Sequence, residues 1–128
     1  MKYTVITGAS SGIGYDTALA FAKRGKNLIL AARREDKLEE LKGEIASINR
    51  ELEVIVKPVD LSVAENTHKF YESLKNYELE TWVNLVKKSS NNNLEKGFVT
   101  FYKTSRLRVH QIILILSSQK VELSTFIL

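Results

Sequence analysis

Apolar and polar positions follow two periods along the first two thirds of the chain. Tyr3 to Thr7 is a short apolar run suited to a buried parallel strand. From Ile13, apolar or small residues recur at Thr17, Ala18, Phe21 and Ala22, the spacing of one helical face, and Gly25 follows Lys23 and Arg24 as a stop. Asn27 to Ala32 reads as a second buried strand. Leu38, Leu41, Ile45, Ile48 and Leu52 step by three and four, which predicts a second helix with Asp36 as its cap. Glu53 to Val59 predicts a third strand, in which Pro58 fits only at a strand end or edge. Ser62 and Glu65 have the spacing of a capping box for a third helix, with Val63, Thr67, Phe70, Leu74 and Tyr77 on its buried side. After a link at Glu78 to Thr81, Trp82-Val83-Asn84 starts a fourth strand.

This βαβαβαβ order predicts an α/β fold: a Rossmann-like, doubly wound parallel sheet, incomplete, with helices on both faces because each crossover is right-handed. In such a sheet the ligand crevice lies above strands one and four, where the strand order reverses. The expected organisation is a nucleotide-binding half over residues 1–84 and an irregular, atypical tail over 85–128. With no later strand legible, strand four is expected to form an exposed edge, open to aggregation or to an oligomer.

Between the first strand and the first helix stands Thr7-Gly8-Ala9-Ser10-Ser11-Gly12-Ile13-Gly14. A strand that turns sharply into a helix, with backbone close enough for main-chain N–H groups to reach a pyrophosphate, requires positions without a Cβ. Gly8 serves the turn, Gly12 the approach of the ligand and Gly14 the approach of helix to strand. The helix start adds unpaired N–H groups and about half a positive charge, and Ser10 and Ser11 add hydroxyl donors. An ordinary Gly-rich loop is the bland alternative; the legible strand before and helix after it favour the phosphate cradle.

The end of the second strand speaks about the same ligand. There an acid accepts from a free ribose 2'-hydroxyl, whereas an arginine accommodates a 2'-phosphate. This chain has Ala32-Arg33-Arg34 and no acid until Glu35. A guanidinium binds phosphate bidentately and stays charged, which favours NADP(H) over NAD, although arginines past a strand end are also commonly a solvated surface.

Thr-Gly-Ala-Ser-Ser-Gly-Ile-Gly at the first turn, Ala-Ala-Arg-Arg after the second strand and Val-Asp-Leu-Ser after the third together resemble the short-chain dehydrogenase/reductase family over about two thirds of the chain. The resemblance implies a Rossmann-type NADP-dependent oxidoreductase. Its pyrophosphate would be held through Gly8, Ser10, Ser11, Gly12, Ile13 and Gly14, and its 2'-phosphate at Arg33, with Arg34 beside it. Asp60 and Leu61 match the pair that borders the adenine. Asn84 aligns with the first asparagine of the family's Asn-Asn-Ala-Gly, but Leu85-Val86-Lys87 follows, without the small residues that make room beside the cofactor.

From that point the composition changes. Residues 1–84 hold 12 Lys and Arg against 13 Asp and Glu, while residues 85–128 hold 7 against 2, with no Ala, Asp or Pro and only Gly97. A break inside a motif together with this shift is what an out-of-frame translation would look like; sequencing the locus tests it, and the idea fails if no neighbouring frame encodes Asn-Ala-Gly and a downstream Tyr-x-x-x-Lys. The family's hydride transfer uses a serine, a tyrosine and a lysine four residues after the tyrosine. Tyr71 and Lys75 have that spacing but precede strand four, so they read as packing and surface. Ile112 to Ser118 imitates a fifth strand, but no tyrosine follows it, and an accidental apolar run is the better reading. No catalytic residue is assigned, and little or no turnover is expected of this chain by itself.

The remaining candidates are weaker. No cysteine is present, His68 and His110 lack a second ligand at helical spacing, and no metal is expected. The longest apolar run, Ile112 to Leu116, is far short of a membrane span, and the cytoplasm is the default location. Phe98, Phe101, Tyr102, Lys103, Arg106 and Arg108 make a basic and aromatic tail, for which a solvated segment is a better reading than a nucleic-acid surface. A non-catalytic nucleotide-binding module and an interaction module built on the tail stand as the alternative functions.

Overall fold

The computed structural model describes residues 1–10, 12–87 and 97–103. Its elements run β1 (Lys2–Thr7), α1 (Gly12–Lys23), β2 (Asn27–Ala32), α2 (Glu35–Ile48), β3 (Val54–Pro58), α3 (Ala64–Ser73), β4 (Glu78–Lys87) and β5 (Gly97–Lys103). They form one sheet in the order β3-β2-β1-β4-β5. The first four strands are mutually parallel, and β5 runs antiparallel to β4. The order reverses between β1 and β4, as the βα alternation requires.

The strands are mainly apolar where two helical layers cover them, with Thr4 and Thr7 of β1 the buried polar exceptions, so both faces of the sheet are cores. On one face α1 and α2 supply Ala18, Ala22, Leu38, Leu41 and Ile45 against Ile6, Leu28, Leu30 and Val83. On the other, Phe70 and Tyr71 of α3 and Leu74 just past its end pack against Val5, Ile29, Ala31 and Trp82. Successive strand residues alternate between these faces, as the period of two demands. Pro58 closes β3, an edge strand, where its missing N–H costs no ladder bond.

Several local expectations are corrected. Strand four begins at Glu78 rather than Trp82, with a register shift opposite Tyr3 and Thr4 that sets Glu80 aside from the pairing. Glu80 there meets the ammonium of Lys26 at 2.8 Å. Asp36 does not cap α2: the N-cap position is Arg34, two residues earlier, and the Asp36 carboxylate accepts from the Arg34 guanidinium at 2.9 Å. Ser62 and Glu65 form no capping box, because the N-cap position of α3 falls on Val63, which has no side-chain cap bond, and the Ser62 hydroxyl is bound to Asp60.

The largest difference lies at the far side of the sheet. Strand four was expected as an open edge; β5 takes that position, paired to β4 from Thr81↔Lys103 to Lys87↔Gly97. Gly97–Lys103 is rich in aromatic and β-branched residues, the types that suit a pleated ladder. Residues 88–96 and 104–128, including Arg106, Arg108, His110 and the Ile112 to Ser118 run, lie outside the described residues. Among the described residues no helix is long and apolar enough to cross a membrane.

Candidate functional site

The turn after β1 is where the glycine pattern placed it, at a strand-to-helix junction. Gly8 and Gly12 hold φ of 66° and 58°, in the left-handed region that a Cβ disfavours. A Cβ built on Gly12 would meet nothing within 4 Å, so the glycine leaves open space beside the helix start rather than filling a packed contact. Gly14, by contrast, is buried, as close packing of α1 on the sheet requires. Ser11 lies outside the described residues.

The start of α1 carries backbone donors that the helix itself does not use. The first amides of α1, at Gly12, Ile13 and Gly14, have no carbonyl one turn earlier in the helix to accept from them. The Ala9 amide is used: it donates to the Ala31 carbonyl at 3.3 Å and fixes the turn over the end of β2. Ile13 is 58% exposed, an apolar side chain left in the open at the lip of the crevice. The dipole of α1 adds partial positive charge at the same place.

Past β2 the two arginines differ in a way the sequence did not separate. Arg34 is held by Asp36, whereas Arg33 is exposed and makes no ion pair among the described residues. Arg33 lines a hollow of about 550 Å³ with Lys57, Val59 and Asp60 at the end of β3 and Asn66, Lys69 and Phe70 of α3. Lys57 stands over the Tyr77 ring and Lys69 pairs with Glu65 at 3.3 Å, which leaves Arg33 as the cation of this hollow with no such partner.

Asp60 is held in place from its own loop. Its Oδ1 accepts from the Ser62 amide at 3.0 Å and the Ser62 hydroxyl at 2.6 Å. These bonds, with the nearby Arg33 charge, hold its carboxyl below the usual carboxylate range, so it stays ionised at neutral pH. Asn66 donates to the Asp60 carbonyl at 3.4 Å and Thr67 to the Leu61 carbonyl at 2.9 Å, so the first turn of α3 pins the backbone of both residues. Sequence reasoning missed Thr67 and Asn66 in this role. Their polar character at the start of α3 was the available signal.

Asn84 lies in β4, opposite Thr100 of β5. Tyr71 is in the core beneath α3 and Lys75 pairs with Glu72 at 2.6 Å, so the Tyr-x-x-x-Lys spacing there serves packing and surface. Among the described residues no cluster of three His, Cys, Asp or Glu side chains is arranged to hold a metal ion.

Comparison with known proteins gives a concordant result. A family model described as short chain dehydrogenase matches residues 2–92. The chain is 46% identical over 78 residues to 11-beta-hydroxysteroid dehydrogenase A of Sesamum indicum, which covers 59% of this chain and 21% of that protein. It is similar to the alcohol dehydrogenase of the archaeon Thermococcus sibiricus, solved with 5-hydroxy-NADP, at 40% identity and a TM-score of 0.53 over 58% of this chain and 31% of that one. A short-chain dehydrogenase of Sphingobium yanoikuyae in complex with NADPH gives 32% identity and a TM-score of 0.54 over 59% and 29%. The matched curated relatives are much longer, the chain spanning from 20% to 28% of their length.

Proposed function

The chain belongs to the short-chain dehydrogenase family, and on that premise we propose that it binds NADP(H), with the diphosphate on the turn between β1 and α1. The observation that carries this reading is Gly12: a backbone held at positive φ, next to uncompensated helix amides, with open space where a side chain would stand. Gly25 has the same open space and a positive φ where α1 merely ends; what sets Gly12 apart is that it opens a helix, beside amides with no acceptor one turn earlier. The relatives solved with 5-hydroxy-NADP and NADPH support the choice of ligand.

In this reading the amides of Gly8, Ser10, Ser11, Gly12, Ile13 and Gly14 and the two serine hydroxyls hold the diphosphate. Arg33 takes the 2'-phosphate, with Arg34 contributing charge from its pair with Asp36. Asp60 accepts from the adenine amine, Leu61 borders the ring, and Asn84 stands at the β4 side of the crevice. When bound, the dinucleotide supplies hydride exchange with a carbonyl or secondary alcohol. The residues of this chain bind and orient it but do not polarise a substrate oxygen, since residues 85–128 offer no Tyr-x-x-x-Lys and Tyr71 is in the core.

Titration of the full chain by NADPH fluorescence, on wild type and Arg33→Ala, tests this. A charge-assisted phosphate contact is worth about 1.5–3 kcal/mol, so the variant should bind NADPH roughly 10- to 100-fold more weakly and NADH almost unchanged. Affinity indifferent to the substitution would remove the 2'-phosphate assignment. Sustained NADPH oxidation in the presence of a ketone would overturn the reading that this chain binds without turnover.

A further inference from the structure

The crevice is not symmetric about the switch point. β1 ends at Thr7, β2 at Ala32 and β3 at Pro58, and the ladders bring these ends to one level through Thr7↔Ala31 and Ala32↔Pro58. β4 reaches that level near Val83, which pairs with Ile6, yet it continues through Asn84 to Lys87. All four further residues are paired to β5: Asn84↔Thr100, Leu85↔Val99, Val86↔Phe98 and Lys87↔Gly97. Counting Asn84 as level with Thr7, three residues project beyond the carboxyl edge of the sheet, about 10 Å at the rise of an extended strand.

A dinucleotide lies across this edge, with its adenosine over one side of the switch point and its nicotinamide over the other. Arg33, Asp60 and the open hollow are on the β2 and β3 side. On the β4 side stands a hydrogen-bonded pair of backbones, which gives way only by breaking its ladder.

We infer that this site recognises the adenosine side of the dinucleotide alone: a 2'-phosphorylated adenosine diphosphate held by the turn and Arg33, with the nicotinamide making no contact of its own because the β4–β5 overhang occupies its place. The inference rests on the reading that the β1–α1 turn holds the diphosphate, and it adds which part of the ligand the chain discriminates. It accounts for binding without turnover independently of any missing catalytic residue, since a nicotinamide kept off the crevice presents no hydride at a fixed position.

Calorimetric titration of the full chain with NADP+, 2'-phospho-ADP-ribose and nicotinamide mononucleotide tests it. The first two differ only in the nicotinamide, and they should bind within about threefold of each other. Nicotinamide mononucleotide should neither bind nor compete with NADP+. Weakening of more than threefold on removal of the nicotinamide, or competition by the mononucleotide, would overturn the inference while leaving NADP binding in place. Failure of NADP+ and 2'-phospho-ADP-ribose alike to bind would overturn both readings together.

Discussion

Gly12 and Gly43 make a matched pair, since a Cβ at either would meet nothing within 4 Å, but only Gly12 sits at positive φ, +58°. At Gly43, in the middle of α2, alanine should stabilise the chain by about 0.5–1 kcal/mol through the lower entropy of the unfolded state. At Gly12 the same substitution should destabilise by about 1–2 kcal/mol because the left-handed backbone puts Cβ against the carbonyl that follows. Urea melts of the two variants measure both signs, and a stabilising Gly12→Ala would contradict the turn geometry described here. This is also why the turn itself was legible: a glycine pattern reports backbone angles that other residues resist, and Gly8 and Gly12 adopt them. Which arginine is committed elsewhere was not legible. That depends on α2 opening at Glu35, which puts Asp36 within reach of Arg34 and leaves Arg33 apart.

Between elements, the Tyr15 hydroxyl of α1 donates to Glu44 of α2, and this bond, ahead of burial and the neighbouring acids, pushes the phenol up to about 12. A folded pKa raised above the unfolded value near 10 gives stability that is complete below the unfolded pKa and is lost as pH rises through the folded one. Wild type should therefore exceed Tyr15→Phe at pH 8 by no more than about 1 kcal/mol, the worth of one partly exposed hydrogen bond. The advantage should vanish between pH 10 and about 12. Thermal melts of both proteins across that window check it; Tyr3, also raised by its burial, is common to both and cancels in the difference. Elements were legible where a stripe had one partner layer, as with Leu38, Leu41 and Ile45. Caps were not: the Ser62 hydroxyl donates to Asp60, and α3 opens behind Val63, so Ser62 does not stand at the position from which its oxygen would accept a helix amide. Nor was β5, whose place is set by pairing with β4 across a long sequence separation rather than by a local pattern.

At the scale of the whole molecule, the described residues cover the two faces of the sheet unequally. Two helices pack on the face of Ile6 and Val83, and one ten-residue helix covers the face of Trp82. That third helix is short, about 15 Å, so its hold depends on a few large contacts. Trp82 is the centre of them, fully buried, with its ring 5.4 Å from Tyr71 and 6.2 Å from Phe70. Truncating a buried aromatic to alanine costs about 3–5 kcal/mol, against the roughly 5–15 kcal/mol that holds a domain together. Trp82→Ala should therefore leave the chain largely unfolded at 37 °C, with helical circular dichroism lost for α1 and α2 as well as α3, since all three hang from the same strands. Trp82→Phe should be much milder, because it keeps a ring in the cluster and removes a buried indole N–H that has no partner among the described residues. A Trp82→Ala protein that kept most of its ellipticity and a cooperative melt would show instead that the α1 and α2 face folds without the α3 face.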